Sequence, residues 1–230
     1  MFFHFISLFP EIYQSFLETS LLKKAQENQI LQFECINPRN FCLDQHQQID
    51  DKMYGGGAGM ILKAQPLIDS INDCIKRNHI EDSDFKILFL SPSEKIFDQK
   101  YAYSYSKKQH VIFISGRYEG IDHRMEEYLQ DHYPLQFEKI SLGRFILLWG
   151  EVATMVLTEA IARLIPGVIK EAESWQEESY SLKENMKNLE PPQYTRPDEV
   201  YGYRVPEILL TGNGKEIQQR KEEKTKKSDE

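Results

Sequence analysis

The sequence predicts an α/β protein built around a mostly parallel sheet. Short apolar runs alternate with amphipathic stretches of helical spacing along the first 168 residues, and this alternation is typical of βαβ units. The composition, 40% hydrophobic and 28% charged, is that of a globular protein. A chain of 230 residues can hold one large domain, or a core domain with a smaller appendage.

Each element follows from a local pattern. We predict strands, as apolar runs, at residues 2–8, 31–36, 86–90, 110–115 and 135–140. We predict helices, from apolar residues three or four positions apart, at residues 11–28, 64–78, 97–106, 122–130 and 151–164. The last helix has the strongest pattern and is ended by Pro166-Gly167. Residues 37–59 are polar and then glycine-rich, and we interpret them as a long loop.

The character of the chain changes after residue 168. Residues 169–197 are polar and acidic with prolines at 191, 192 and 197, which indicates an interdomain linker. Residues 198–230 carry a short apolar cluster and one more helical stretch, which predicts a small helical appendage. Its mixed-charge end is typical of a solvated tail.

Charge, cysteines and hydropathy exclude several classes. A net charge of −8 argues against a generic nucleic-acid binder but leaves room for a local basic patch. Cys35, Cys42 and Cys74 are odd in number and widely spaced, which favours reduced thiols in the cytoplasm. No apolar run reaches the roughly 18 residues of a membrane span, and the N-terminus does not resemble a signal peptide. No His/Cys set has zinc-site spacing, so we predict no structural metal site.

The most informative segment is GRYEGID at residues 116–122. It follows an apolar β-branched strand and precedes a helix, and two glycines bracket its arginine, tyrosine and glutamate. Glycine lets a ligand approach the backbone, and ligands of open α/β sheets lie beyond the carboxyl ends of strands. The alternative is an ordinary strand-to-helix turn with solvated charges.

Two further stretches are candidates for ligand binding. Residues 55–59 hold four glycines and could cradle a phosphate, but they lack the Lys-Ser/Thr pair of a P-loop; a flexible connector is the alternative. Residues 141–151 follow a strand and lead into the long helix, so their amides could hold an adenine or a carboxylate. The alternative there is a hydrophobic segment packed in the core.

Together these stretches resemble the bacterial tRNA (guanine-N1)-methyltransferases of the TrmD type, in the knotted SPOUT superfamily. The matches occur in family order over almost the whole chain: ISLFPE at 6–11, DD at 50–51, YGGG at 54–57, GM at 59–60, LSP at 90–92, GRYEGID at 116–122, RLIPGV at 163–168, YTRP at 194–197, and VPE and LLTGN within 205–213.

The resemblance implies a fold and partners. The fold would be an α/β domain over residues 1–168 whose C-terminal part forms a deep trefoil knot, one of the rare knotted topologies. The protein would be a cytoplasmic homodimer that binds S-adenosylmethionine in the knot and methylates the guanosine next to the anticodon of tRNA. The linker would order over the partner subunit's pocket, and the appendage would hold the anticodon arm. The implied cofactor residues are Leu90, Gly116, Glu119, Leu142, Gly143, Arg144, Phe145, Ile146 and Leu147.

The resemblance also implies the catalytic residues. Guanine N1 is protonated at neutral pH, so a carboxylate base must remove the proton as the methyl group arrives. Charge then grows toward O6, where a guanidinium stabilises it. The matching positions are Glu178 as base and Arg163 as stabiliser; without the resemblance both read as solvated surface charges. The resemblance further suggests that a divalent ion, Mg2+, assists the reaction.

The chain departs from the family pattern at several of these positions. Glu178 stands in place of an aspartate, Arg144 in place of an aspartate, Ala153 in place of a proline, and Trp149 in place of a glycine. The chain also stops soon after Arg220, which is short for the family's C-terminal domain. These departures keep a second hypothesis open: a catalytically silent relative that binds RNA or a partner protein as a dimer. A nucleotide-phosphate binder built on the glycine-rich loop is the third.

Overall fold

The computed structural model describes residues 1–81, 83–92, 95–170, 178–180, 188–224 and 226–227. The chain divides into two compact units, Met1–Lys170 and Glu171–Glu230. Among the described residues, no helix combines the length and the apolar character needed to cross a membrane.

A five-stranded sheet forms the centre of the first unit. Its strands are β1 (Phe2–Ile6), β2 (Gln32–Ile36), β5 (Phe85–Leu90), β6 (His110–Ile114) and β7 (Phe137–Ile140). They lie in the order β2-β1-β6-β5-β7, and every neighbouring pair is parallel. The predicted α/β class with a mostly parallel sheet is confirmed. β1 and β6 are almost wholly buried, because helices cover both faces of such a sheet.

The helices pack on the two faces of the sheet. They are α1 (Gln14–Leu17), α2 (Ser20–Glu27), α3 (Ala64–Arg77), α4 (Gln99–Tyr105), α5 (Arg124–His132) and α6 (Gly150–Ala162). α3 and α5 contact each other over a core that includes Ile6, Ile87 and Ile112. α6 contacts β5, β6 and α4. Alternate side chains of each strand therefore pack into two separate core layers, one on each face of the sheet.

The first helical region differs from the prediction of one helix at residues 11–28. A 3-10 turn at Pro10–Tyr13 and α1 are separated from α2, because Thr19 is extended and Ser20 takes a left-handed φ of 51°. The side-chain amide of Gln26 donates to the Leu17 carbonyl at 2.7 Å across this break. Leu17, Leu22 and Ala25 are all buried, so the apolar spacing continues through the interruption and hides it.

The predicted loop at residues 37–59 contains regular structure. It begins with a 3-10 turn at Pro38–Phe41 and includes β3 (Asp50–Asp51), which pairs antiparallel with β4 (Ile61–Leu62). Ile49, fully buried beside β3, anchors this segment to the core. The loop is thus held at both ends, and its glycines lie between the two short strands.

The described residues of the second unit form two-residue strands, a 3-10 turn and one helix. They are β8 (Asn188–Leu189), β9 (Glu199–Val200), β10 (Tyr203–Arg204), a 3-10 turn (Glu207–Leu209), α7 (Gly214–Lys224) and β11 (Lys226–Lys227). β9 pairs with β10, and β8 with β11, both antiparallel. The sequence predicted one helix here and missed these two-residue strands, which are too short to show an alternating pattern.

Candidate functional site

A cavity of about 320 Å³ lies at the carboxyl ends of β5, β6 and β7. This is the edge of a parallel sheet where ligands bind, and the volume falls within the roughly 300–1,000 Å³ of small-molecule sites. Its lining comes from residues 89–92, 116–120, 140–143, 145–148, 150 and 153. The cavity therefore has two main walls, one after β6 and one between β7 and α6.

The first wall is the glycine-bracketed turn after β6. Its backbone takes left-handed conformations at Tyr118 (φ 55°) and Gly120 (φ 136°), and the Gly120 amide donates to the Arg117 carbonyl at 3.1 Å. Tyr118 and Glu119 are exposed. The turn places polar side chains at the mouth of the cavity.

The glycine-rich loop supports this first wall. The Glu119 amide donates to the Met60 carbonyl at 3.1 Å, and the Leu62 amide donates to the Gly120 carbonyl at 3.0 Å. A Cβ on Gly59 would lie 2.5 Å from Cγ of Glu119, so only glycine permits this contact. The structure gives Gly59 a packing role against Glu119. The two interpretations of residues 55–59, a phosphate-binding loop and a flexible connector, stay predictions.

The second wall is the segment between β7 and α6. The Ser141 hydroxyl donates to the Gly143 carbonyl at 3.0 Å, and Gly143 has a φ of 144°. At the far end the Gly150 amide donates to the Gly116 carbonyl at 3.3 Å. A Cβ on Gly150 would lie 2.7 Å from the Gly116 nitrogen. The two walls thus touch through the backbones of two glycines.

A buried ion pair joins Arg117 of the first wall to Glu151. Glu151, in the first turn of α6, is fully buried and accepts a hydrogen bond from the Ser7 hydroxyl at 2.7 Å. Arg117 Nε donates to Glu151 Oε1 at 3.2 Å and lies 3.0 Å from Oε2. Oε2 accepts no hydrogen bond from the described residues, and the ion pair with Arg117 stabilises its charge.

Comparison with known proteins decides the family. The sequence profile described as tRNA (Guanine-1)-methyltransferase TrmD matches residues 1–230. The chain belongs to the TrmD family. Three similar proteins carry the name tRNA (guanine-N(1)-)-methyltransferase. That of Carboxydothermus hydrogenoformans is 45% identical over 92% of this chain and 78% of its own. That of Clostridioides difficile is 38% identical over 96% of this chain and 91% of its own. That of Malacoplasma penetrans is 41% identical over 92% of this chain and 86% of its own.

The structure brings together most of the residues that the TrmD resemblance assigned to the cofactor. Those that line the cavity are Leu90, Gly116, Glu119, Leu142, Gly143, Phe145, Ile146 and Leu147. Arg144 lies between two of them, is exposed and does not contribute to the lining. Their assignment to a cofactor remains a prediction.

Trp149 lies outside the cavity lining, although the TrmD pattern expected a glycine there. Its indole stacks on Arg117, with the guanidinium carbon 4.9 Å from the ring centroid. Its neighbours Leu148 and Gly150 do line the cavity. Tryptophan in place of glycine at residue 149 therefore does not fill the cavity, and it adds a contact with Arg117.

The two residues assigned to catalysis lie in different units. Arg163 is half-buried in the first unit, directly after α6, where its amide donates to the Glu159 carbonyl at 3.2 Å. Glu178 is half-buried in the second unit and precedes Ser179, whose hydroxyl accepts from the Glu190 amide at 2.9 Å. Their roles remain predictions.

A second polar cluster lies under α3, away from the cavity. His4 Nδ1 is 3.0 Å from Glu34 Oε2, and Arg77 donates to the other oxygen at 2.5 Å. Cys74 Sγ lies within 4.8 Å of both groups. Burial lowers the pKa of His4 to about 4 and raises that of Cys74 to about 12. A neutral imidazole and thiol beside a paired carboxylate form a satisfied hydrogen-bond network, so the donor set is explained without a metal.

The contacts that join Ser7 and Arg117 to Glu151 are the part of the site that sequence reasoning missed. Ser7 and Glu151 are 144 residues apart, so no local pattern joins them. The available signal was the acidic residue in the first turn of an otherwise apolar helix, since a buried carboxylate requires a partner.

Proposed function

We propose that this protein is a tRNA (guanine-N1)-methyltransferase that uses S-adenosylmethionine and methylates the guanosine 3′ of the anticodon. One observation carries the proposal. The cavity at the carboxyl ends of three neighbouring strands is lined by two motifs that match the TrmD family, LSP at 90–92 and GRYEGID at 116–122, together with the segment that leads into α6.

The lining suits S-adenosylmethionine. Leu90, Leu142, Ile146 and Leu147 provide apolar contacts for an adenine ring, and the backbone polar groups of the glycine-containing walls can fix its edges. When bound, the cofactor supplies an electrophilic methyl group on a sulfonium sulfur. Glu119 provides a carboxylate in the lining, the kind of ligand that Mg2+ prefers, and we propose it as the contact for that ion.

Glu178 and Arg163 are proposed to handle the proton and the charge. The Glu178 carboxylate takes the proton from guanine N1, which frees the lone pair for attack. The Arg163 guanidinium stabilises the negative charge that develops on O6. Glu178 is one methylene longer than the aspartate of the family pattern, so its backbone must lie correspondingly farther from N1.

The second unit is proposed to hold the anticodon arm, with residues 169–197 as linker and 198–230 as appendage. Tyr201 and Tyr203 are 98% and 84% exposed in and beside the β9–β10 hairpin, and Arg204 is exposed next to them. Exposed aromatic rings and guanidinium planes stack on unpaired bases of RNA loops. The net charge of −8 argues against a generic nucleic-acid binder, whereas this local surface has the side chains that bind a tRNA loop.

The first unit is proposed to form a homodimer and a trefoil knot in the cytoplasm. Phe145, Ile146, Leu148, Val152 and Val156 are exposed on the second wall and on α6. An apolar patch of this extent marks an interaction surface. A second copy of the chain fits, since the α6 face and the cavity wall would then be covered together. The three cysteines are free thiols, in keeping with a reducing compartment.

Methyl transfer to defined transcripts tests the proposal. Incubation with labelled S-adenosylmethionine and unmodified tRNA should label a transcript with guanosine 3′ of the anticodon. The same transcript with adenosine at that position should stay unlabelled. Equal labelling of both would contradict the assigned position. If neither is labelled and calorimetry detects no cofactor binding, the silent-relative hypothesis is favoured.

A further inference from the structure

Three separate segments of the first unit meet on the Glu151 carboxylate. Ser7, in the turn after β1, donates its hydroxyl proton to Oε1 at 2.7 Å, and the same Ser7 oxygen accepts from the Phe9 amide at 3.1 Å. Arg117 reaches the carboxylate from the turn after β6. Glu151 itself begins α6. One buried anion therefore ties the ends of two strands to the start of the helix that closes the cavity.

Arg117 contacts two aromatic rings as well as the Glu151 carboxylate. Its guanidinium carbon lies 4.5 Å from the centroid of the Phe9 ring and 4.9 Å from that of Trp149. Its side chain is 11% exposed. A guanidinium over two aromatic rings gains cation–π attraction, which is stronger when the cation is removed from water.

The aromatic partners belong to different segments. Phe9 follows β1, whereas Trp149 is the last residue before α6 and directly follows Leu147 and Leu148 of the cavity lining. Arg117 belongs to the opposite wall, together with Tyr118 and Glu119. The contact between Arg117 and Trp149 therefore links the two walls.

We infer that Arg117 and Trp149 are positioning residues for the cofactor. The stack Phe9–Arg117–Trp149, anchored on Glu151, fixes the spacing of the two cavity walls before the cofactor binds. Preformed walls lower the ordering cost of binding. The role rests on the proposed function, because it assumes that S-adenosylmethionine occupies this cavity.

Trp149 takes over a function that the family pattern does not place there. A glycine at this position could not contact Arg117 through a ring, so without Trp149 the guanidinium would lose one of its two aromatic contacts. The larger side chain of Trp149 is thus accommodated outside the cavity, where it contacts Arg117. The affinity for the cofactor is expected to depend on the aromatic character of residue 149.

Paired substitutions test the inference through the affinity for S-adenosylhomocysteine, measured by calorimetry. W149A removes the ring and should raise Kd about tenfold, whereas W149F keeps a stacking face and should stay within about threefold. R117K keeps the charge but loses the planar face and should also raise Kd about tenfold. R77K, which alters an ion pair under α3, is the matched control and should leave Kd unchanged.

Fluorescence supplies a readout that needs no cofactor. Trp149 and Trp175 are the two tryptophans of the chain, so W175F leaves Trp149 as the single emitter. In that background R117Q should move the emission to longer wavelength, because the indole loses its stacked neighbour and meets more water. R77K should not change the emission.

The outcomes separate the inference from the proposed function. A rise in Kd and in KM for the cofactor, with KM for tRNA unchanged, supports the positioning role. Unchanged emission in R117Q together with Kd values within twofold for W149A and R117K would overturn it. Tight cofactor binding without methyl transfer to tRNA would contradict the proposed function and leave the positioning role standing. If the wild type binds no cofactor, the proposed function fails and so does the positioning role.

Discussion

Substitution of Gly150 by alanine perturbs the contact between the two cavity walls most directly. A Cβ at this position would lie 2.7 Å from the nitrogen and 2.8 Å from the oxygen of Gly116, and 3.2 Å from the carbonyl carbon of Ser115. All three atoms belong to backbone, which cannot rotate aside as a side chain can. The walls must therefore separate by about 0.7 Å to reach an ordinary contact distance.

The energetic cost follows from three contributions. Overpacking of a close contact costs about 1–3 kcal/mol. Loss of the hydrogen bond from the Gly150 amide to the Gly116 carbonyl costs about 1 kcal/mol more. Alanine recovers at most about 1 kcal/mol through its higher helix propensity at the start of α6. The expected loss in the free energy of unfolding is about 1–3 kcal/mol, or a fall in Tm of about 3–10 °C for a chain of this size.

Thermal unfolding and calorimetry with S-adenosylhomocysteine measure the two effects. G150A should lower Tm and weaken binding at least about tenfold, since the walls no longer have the geometry that fits the ligand. G116A is the matched control for stability: its Cβ would lie 3.8 Å from Phe89, an ordinary contact, so Tm should change little while the added methyl weakens binding. If G150A melted like the wild type and bound the ligand equally well, the reasoning would be refuted.

Three further outcomes are expected. Glu151→Leu should destabilise the fold by about 3–5 kcal/mol in urea unfolding, because it leaves Arg117 buried without its anion; a loss below about 1 kcal/mol would contradict this. Val156→Asp should convert a dimer to a monomer in sedimentation velocity, and a variant that still sediments as a dimer would exclude the α6 face. Burial lowers the pKa of His4 from 6.5 to about 4, so the unfolded chain binds the proton more tightly. The contribution of neutral His4 to the free energy of unfolding is therefore complete above pH 6.5 and is lost as the pH falls toward 4. It amounts to at most about 3 kcal/mol, and His4→Gln should flatten this dependence.

Elements with a strong local pattern were predictable from the sequence. The prediction of a helix at residues 64–78 matches α3, because the apolar residues Leu67, Ile71 and Cys74 recur on one face and all are buried. The break in the first helical region was not predictable, since the left-handed Ser20 interrupts the helix but not the apolar spacing. Periodicity reports which side chains are buried and is insensitive to a single left-handed residue.

The location of the cavity was predictable, whereas its internal support was not. Strands that end in glycine-containing motifs indicated the carboxyl edge of the sheet, where β5, β6 and β7 enclose the cavity. The contact of Gly59 with Glu119 and the stack of Trp149 on Arg117 join residues far apart in the chain. Such contacts depend on how the sheet and helices pack, which no local pattern records.

Identification of the methylated nucleoside tests the proposed reaction most directly. tRNA with guanosine 3′ of the anticodon is incubated with the protein and S-adenosylmethionine, digested to nucleosides and analysed by mass spectrometry against methylguanosine standards. We predict 1-methylguanosine as the single product, at one residue per tRNA, and its loss in the Glu178→Gln and Arg163→Ala variants. Methyl transfer to another atom, or none from folded protein that binds the cofactor, would contradict the proposed function.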